Sequence, residues 1–173
     1  MKRLITIVWV FALYGALSGC GYQMAGYGAT QLPPHLRTIA IPVFENTSAE
    51  PTIQRPFTEA VRRAFITDGR LKLVNEAAKA DLVMTGTLTS YSIRAVAFNA
   101  NDVAIEYWVF ISAQIEVTDR INNQTYLKQN LNTRWDYIAD DNVITSEASR
   151  QAALTQTNRL LSQRLVSLVN DKF

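Results

Sequence analysis

Few side chains among these 173 residues have the types and spacing that chemistry needs. There is one cysteine, Cys20, and one histidine, His35. A catalytic reading asks for a nucleophile, a base and a group that orients the base. His35 stands in a Pro33-Pro34-His35 turn and reads as an ordinary surface-loop residue. Asp136, Asp140 and Asp141 gather carboxylates, but they lack the glycine turn and terminal bidentate glutamate of a calcium loop, so a solvated loop is the reading. No GxGxxG, P-loop or HExxH is present. An enzyme is disfavoured, and neither metal nor cofactor is expected.

Cys20 is different, because its neighbours define a reaction. Met1-Lys2-Arg3 precedes an apolar run from Leu4 to Leu17, followed by Ser18-Gly19-Cys20. A charged head, an apolar centre too short to span a bilayer and small residues make a secretory signal peptide. Leu17-Ser18-Gly19-Cys20 resembles the lipobox of bacterial lipoproteins. That resemblance implies cleavage before Cys20, a thioether from its thiol to diacylglycerol and acylation of the new amine, giving an N-palmitoyl, S-diacylglycerol cysteine. Three acyl chains exceed the two signals that stable anchoring needs, at about 0.8 kcal/mol per buried CH₂. A plain signal peptide ending at a chance cysteine is the alternative. Gly21 stands where inner-membrane retention would have aspartate in the enterobacterial sorting system, which resembles the outer-membrane class.

This cleavage changes the electrostatics. Of 17 Lys+Arg, Lys2 and Arg3 leave with the signal while none of the 15 Asp+Glu does, so 15 bases face 15 acids. A neutral domain has no electrostatic footprint for nucleic acid. With the only thiol modified, the compartment is read from the signal rather than from cysteine usage. The chain divides into a cleaved segment 1–19, a lipidated glycine-rich lead 20–31 and one domain over 32–173.

Within that domain the patterns are clear. Leu32-Pro33-Pro34 is an extended entry. Arg37 to Phe44 alternates Ile39, Ile41 and Val43 as a strand, which Pro42 moves towards an edge or a bulge. Pro51 to Asp68 carries Ile53, Phe57, Val61, Ala64 and Phe65 at helical spacing, regular from about Pro56 and stopped by Gly69. Leu71 to Val74 is a short strand, and Asn75 to Asp81 a loop or single helical turn. Leu82 to Phe98, Val103 to Thr118 and Thr125 to Trp135 form an antiparallel meander, with a β-bulge expected near Thr89–Ser92 where the alternation slips. Asp136 to Ile144 reads as an acidic loop, and Thr145 or Ser146 as the cap of a last helix striped by Leu154, Leu161, Leu165 and Leu168.

The order β-α-β-β-β-β-α predicts an α+β two-layer sandwich, two helices on one face of a mixed, mostly antiparallel sheet of about four to five strands. The first strand and the one after the helix should run parallel. The other sheet face is left for solvent or a partner. Trp108 and Phe110 lie on the otherwise polar phase of their strand, so they mark either a contact surface or a covered patch. Arg62, Arg63, Arg150, Arg159 and Arg164 read mostly as residues of solvated helix faces.

An ordered set of segments carries a wider resemblance. It runs from Cys20-Gly21-Tyr22 through Leu32-Pro33-Pro34 and the stretch Thr38 to Asn46, to Phe57-Thr58-Glu59-Ala60 and Gly86 to Tyr91, then the meander and terminal helix. Together these resemble the lipopolysaccharide-assembly lipoprotein family LptE. The resemblance implies a non-enzymatic lipoprotein of the cell outer membrane that plugs and helps assemble a large LptD-like β-barrel and assists lipopolysaccharide transport to the outer leaflet. It further implies basic lipopolysaccharide contacts near the turn between the long strands and close to the last helix. Here that turn, Asn99-Ala100-Asn101-Asp102, has no cation, which leaves Arg94, Lys128, Arg134 and Arg150 as ligand candidates. Trp108 and Phe110 are the partner-contact candidates. The alternative is another envelope lipoprotein, acting as a periplasmic activator of a peptidoglycan synthase or as a secretion-assembly factor.

Overall fold

The computed structural model describes residues 32–139 and 142–170; Cys20, the lead and Asp140-Asp141 lie outside the described residues. The elements are β1 (Thr38–Ala40), β2 (Glu45–Asn46), α1 (Gln54–Asp68), β3 (Lys72–Val74), β4 (Leu82–Phe98), β5 (Ala104–Asp119), β6 (Gln124–Ile138) and α2 (Val143–Asn170), with one 3₁₀ turn at Ala77–Lys79. The sheet has six strands in the order β3-β1-β4-β5-β6, with β2 also paired to β4. β1 runs parallel to both β3 and β4, while β4, β5 and β6 are antiparallel. Both helices lie on one face, so the α+β two-layer reading holds.

The first predicted strand is broken in two. β1 ends at Ala40 and pairing resumes at Glu45, because Pro42 has no N–H to give a ladder. β1 is nevertheless flanked on both sides, so proline interrupts this strand rather than making it an edge. The freed backbone groups are met by α1: the Arg62 guanidinium donates to the Ile41 carbonyl at 3.0 and 2.7 Å, and the Phe44 N–H donates to Thr58 Oγ1 at 3.1 Å. Arg62 is therefore a structural cap and not a solvated-face residue; Arg63, Arg159 and Arg164 are exposed as expected.

α1 buries Phe57, Thr58, Val61 and Phe65, the four-residue spacing that places one stripe on the sheet. Gly69 ends it with φ 74° and an N–H to the Phe65 carbonyl at 3.1 Å, a conformation that glycine takes without strain. β4 slips register between Leu88 and Ser90, within the expected bulge region, and again around Ala97. Its buried Leu82, Met84 and Leu88 meet Ile111, Ala113, Ile115 and Val117 of β5 in the core. Gly86 fits because an added Cβ would lie 2.6 Å from Ile115 Cδ1 and 3.1 Å from the Gln114 carbonyl.

The last connection also departs from the expectation. β6 continues to Ile138, so Asp136 is a strand residue rather than part of a loop. α2 begins at Val143, and Asn142 caps it instead of Thr145 or Ser146: Asn142 Oδ1 accepts from the Ile144 N–H at 2.9 Å and its carbonyl from the Ser146 N–H at 3.0 Å. An asparagine before two β-branched residues is as good a cap as the later hydroxyls. Of the predicted leucine stripe Leu154, Leu161 and Leu165 are buried and Leu168 half-buried, but Thr157, Asn158, Ser162 and Asn170 are buried too. Thr157 and Ser162 are tolerated there because their hydroxyls donate to carbonyls one turn back, at 2.8 and 2.6 Å.

Candidate functional site: the open sheet face

With both helices on one side, the opposite face of β4, β5 and β6 has no covering layer among the described residues. Alternation places Val109, Ile111, Ala113, Ile115 and Val117 of β5 in the core. Trp108 and Phe110 must then point to the other face. The pairing sets their neighbours: Arg94 faces Trp108, which faces Asp136, and Ser92 faces Phe110, which faces Arg134. Sequence positions forty residues apart are thereby brought into two adjoining rows.

Both arginines then reach diagonally over aromatic rings. Arg134 Cζ lies 4.0 Å from the Trp108 ring centroid, and Arg94 Cζ lies 5.2 Å from that of Phe110. Trp108 and Phe110 themselves meet edge to face at 6.1 Å and 68°. A guanidinium held this way keeps its charge and most of its N–H donors outward, while its flat surface covers the ring. At an exposed site each such contact contributes about 0.5–1 kcal/mol, too little to explain the cluster by stability. What the arrangement can do is present two planar, oriented cations on an apolar bed. That suits oxyanions such as phosphate or carboxylate.

Lys128 and Arg150 lie elsewhere. Lys128 is on the open face but far down β6, where its ammonium pairs with Glu116 at 3.2 Å. It borders a shallow polar cleft of about 470 Å³ lined by Glu45, Thr85, Gln114, Gln129 and Asn130. Arg150 is in the helix layer. Its guanidinium donates to both Glu147 oxygens at 2.8 Å and to the Tyr91 hydroxyl at 2.9 Å, and reaches Glu50 at 3.5 Å. These hydrogen bonds hold the Glu147 carboxyl down at about 2, with Gln151 assisting, and raise Arg150 above its ordinary value. Arg150 ties α2 to β4 and to the segment before α1.

His35 is more than the ordinary loop residue read from the sequence. Its Nε2 lies 3.1 Å from Asp119 Oδ2. Asp119, buried at the end of β5, also accepts from the Ile121 N–H at 2.9 Å, the Asn122 N–H at 3.1 Å and the Asn122 side-chain amide at 2.8 Å. Burial alone would raise this carboxyl, but the donors outweigh it and hold it at about 2. The Asp119 clasp fastens the chain's entry to the β5–β6 turn. Nothing in the spacing of residues 35 and 119 announces it. The open-face cluster, by contrast, was reachable from the hairpin register once the β4 bulge is counted.

No helix among the described residues is long and apolar enough to cross a membrane. The lipopolysaccharide-assembly family LptE matches residues 36–169. No curated protein matches the chain significantly. Among solved structures, an uncharacterized lipoprotein B from Nitrosomonas europaea is 17% identical with a TM-score of 0.60, covering 88% of this chain and 92% of that one. The rare lipoprotein B from Shewanella oneidensis is 13% identical with a TM-score of 0.54, covering 75% and 94%. A PelC dodecamer from Paraburkholderia phytofirmans has a TM-score of 0.56 at 10% identity, covering 81% and 92%. At these identities the structures speak for the fold alone.

Proposed function

The chain belongs to the LptE family of lipopolysaccharide-assembly lipoproteins, and from that premise we propose that it is anchored in the outer membrane through Cys20 and plugs a large LptD-like β-barrel. Membership carries a role in lipopolysaccharide assembly and not in catalysis; the plug, the anchor and the contacts are this proposal. In it, the domain helps the barrel assemble and assists lipopolysaccharide on its way to the outer leaflet. One observation carries the contact reading: the open sheet face holds Arg94 over Phe110 and Arg134 over Trp108, preformed and without an ion-pair partner among the described residues. A mostly polar sheet face fits a wet barrel wall, and the two guanidinium groups suit the anionic groups of lipopolysaccharide. Lys128 and Arg150 are weaker ligand candidates in this reading, since each is engaged with a carboxylate.

Affinity purification from detergent-solubilised outer membranes tests it. A stoichiometric large β-barrel should accompany the protein. Recovery of a peptidoglycan synthase alone, with normal surface lipopolysaccharide after depletion, refutes the proposal. Replacing Cys20 by alanine should abolish lipid labelling and, without the barrel, membrane retention, while thermal unfolding of the domain is unchanged.

A further inference from the structure

The sheet ends differently on its two sides. β3, at one end, has 3 residues, while β6, at the other, runs for 15 from Gln124 to Ile138. A long edge strand presents a row of unpaired N–H and C=O groups, which folded domains blunt with proline, a bulge, a short strand or a covering segment. β6 has neither proline nor glycine, and its one register shift lies at its start, between Thr125 and Leu127. From Leu127 to Tyr137 it is regular, and among the described residues no strand pairs with its outer side. Its helix face is partly open as well: Leu131 is buried, but Leu127, Trp135 and Tyr137 are half-buried and Gln129 is exposed. A strand added alongside would cover them.

The charges of β6 say which strand fits. Its open face carries, in order, Lys128, Asn130, Asn132, Arg134 and Asp136. In an antiparallel pairing with a second copy about a twofold axis, the residue at the centre faces itself and fixes every other pair. Centred on Leu131, Lys128 would face Arg134 twice; centred on Arg134, arginine would face arginine. Like charges directly opposite destabilise a strand pair. Centred on Thr133, Lys128, Arg134 and Asp136 would all face uncharged side chains. Centred on Asn132, Lys128 faces Asp136 twice, Arg134 faces Asn130, and no like charges stand directly opposite. Lys128 already holds Glu116 of β5 at 3.2 Å, so its ammonium would lie between two carboxylates. On the helix face the same register sets Leu127 against Tyr137, Gln129 against Trp135 and Leu131 against Thr133, closing the half-buried residues over one another.

We propose that β6 pairs antiparallel with β6 of a second copy of this chain, centred on Asn132, and joins the two six-stranded sheets into one. The inference does not rest on the barrel or on the ligand role of the arginines. Analytical ultracentrifugation of the mature chain carrying Cys20→Ala, over a concentration series, tests it. The parent should sediment as a concentration-dependent dimer. Lys128→Asp and Asp136→Lys should each weaken dimerisation by about tenfold, because two attractive pairs become two repulsive ones. An equimolar mixture of those two variants should regain the dimer, since each charge then meets its opposite; regain also shows that both variants are folded. In the parent background Asn132→Cys should link to its own copy through a short bis-maleimide. Ile138→Cys, about 40 Å from its counterpart in this register, should not. A parent that stays monomeric at every concentration overturns the proposal. So does a dimer that both charge reversals leave unchanged, a mixture that fails to regain it, or linkage through Ile138→Cys in place of Asn132→Cys. A monomeric parent that dimerises only after deletion of residues 21–31 assigns the edge to that lead and likewise overturns it.

Discussion

Replacing Asp119 by asparagine should destabilise the domain at neutral pH and progressively less in acid. The Asp119 carboxylate accepts from two backbone N–H groups, the Asn122 amide and His35, and is 1% exposed. Those donors favour the ionised form and hold the group at about 2, below its ordinary 3.8. A depressed carboxyl stabilises the folded state above the unfolded value, near pH 4, and that stabilisation fades as pH falls towards 2. The gap corresponds to about 2 kcal/mol at most, and screening in a surface turn brings it to about 1–2 kcal/mol. For a domain of this size that is a fall in Tm of about 3–8 °C at pH 7. Circular-dichroism melts of the Cys20→Ala chain and its Asp119→Asn derivative, taken from pH 7 downward, measure it. The two melting curves should approach one another below pH 4. An equal deficit at pH 7 and pH 3, or no deficit at pH 7, would refute the reasoning.

Three further outcomes follow from the geometry. Arg62→Ala removes both donors to the Ile41 carbonyl and should cost about 1–3 kcal/mol in denaturant unfolding, because the carbonyl freed by Pro42 loses its partner. Gly86→Ala drives a methyl against Ile115 and the Gln114 carbonyl and should cost about 1–3 kcal/mol, with Ile115→Val in the same chain recovering part of it. Trp108→Ala with Arg134→Gln should change stability by less than about 1 kcal/mol, as exposed cation–π contacts do, while recovery of the barrel in affinity purification falls sharply.

Much of the fold was legible because its signals are local. Phe57, Val61 and Phe65 share a helical stripe whatever they pack against, and the alternation of Val109 to Val117 marks a half-buried strand without reference to its neighbours. The slip between Leu88 and Ser90 was visible as a change of phase. The errors fell where local preference was overruled. Pro42 divides its strand because α1 supplies substitute partners through Arg62 and Thr58. α2 buries Thr157 and Ser162 because their small hydroxyls bond to their own helix backbone, and no hydropathy pattern announces that. Arg150 looked like any helix-surface cation, yet its position against Tyr91 and Glu147 makes it a tie between layers.

The same division holds for the site. Residue order alone carries the proposed signal and its lipobox-like Leu17-Ser18-Gly19-Cys20, the neutral chain that the proposed cleavage would leave, and the α+β sequence of elements, since each is read from spacing within short stretches. It also singled out Trp108 and Phe110 as aromatic residues on a polar phase. Only the tertiary structure decided that Arg94 and Arg134 come to lie over those rings, and that Lys128 and Arg150 do not join them. The reason is register. Which side chains meet across three strands depends on the two hairpin turns and on every bulge between, and one residue of slip would send each arginine to the opposite face.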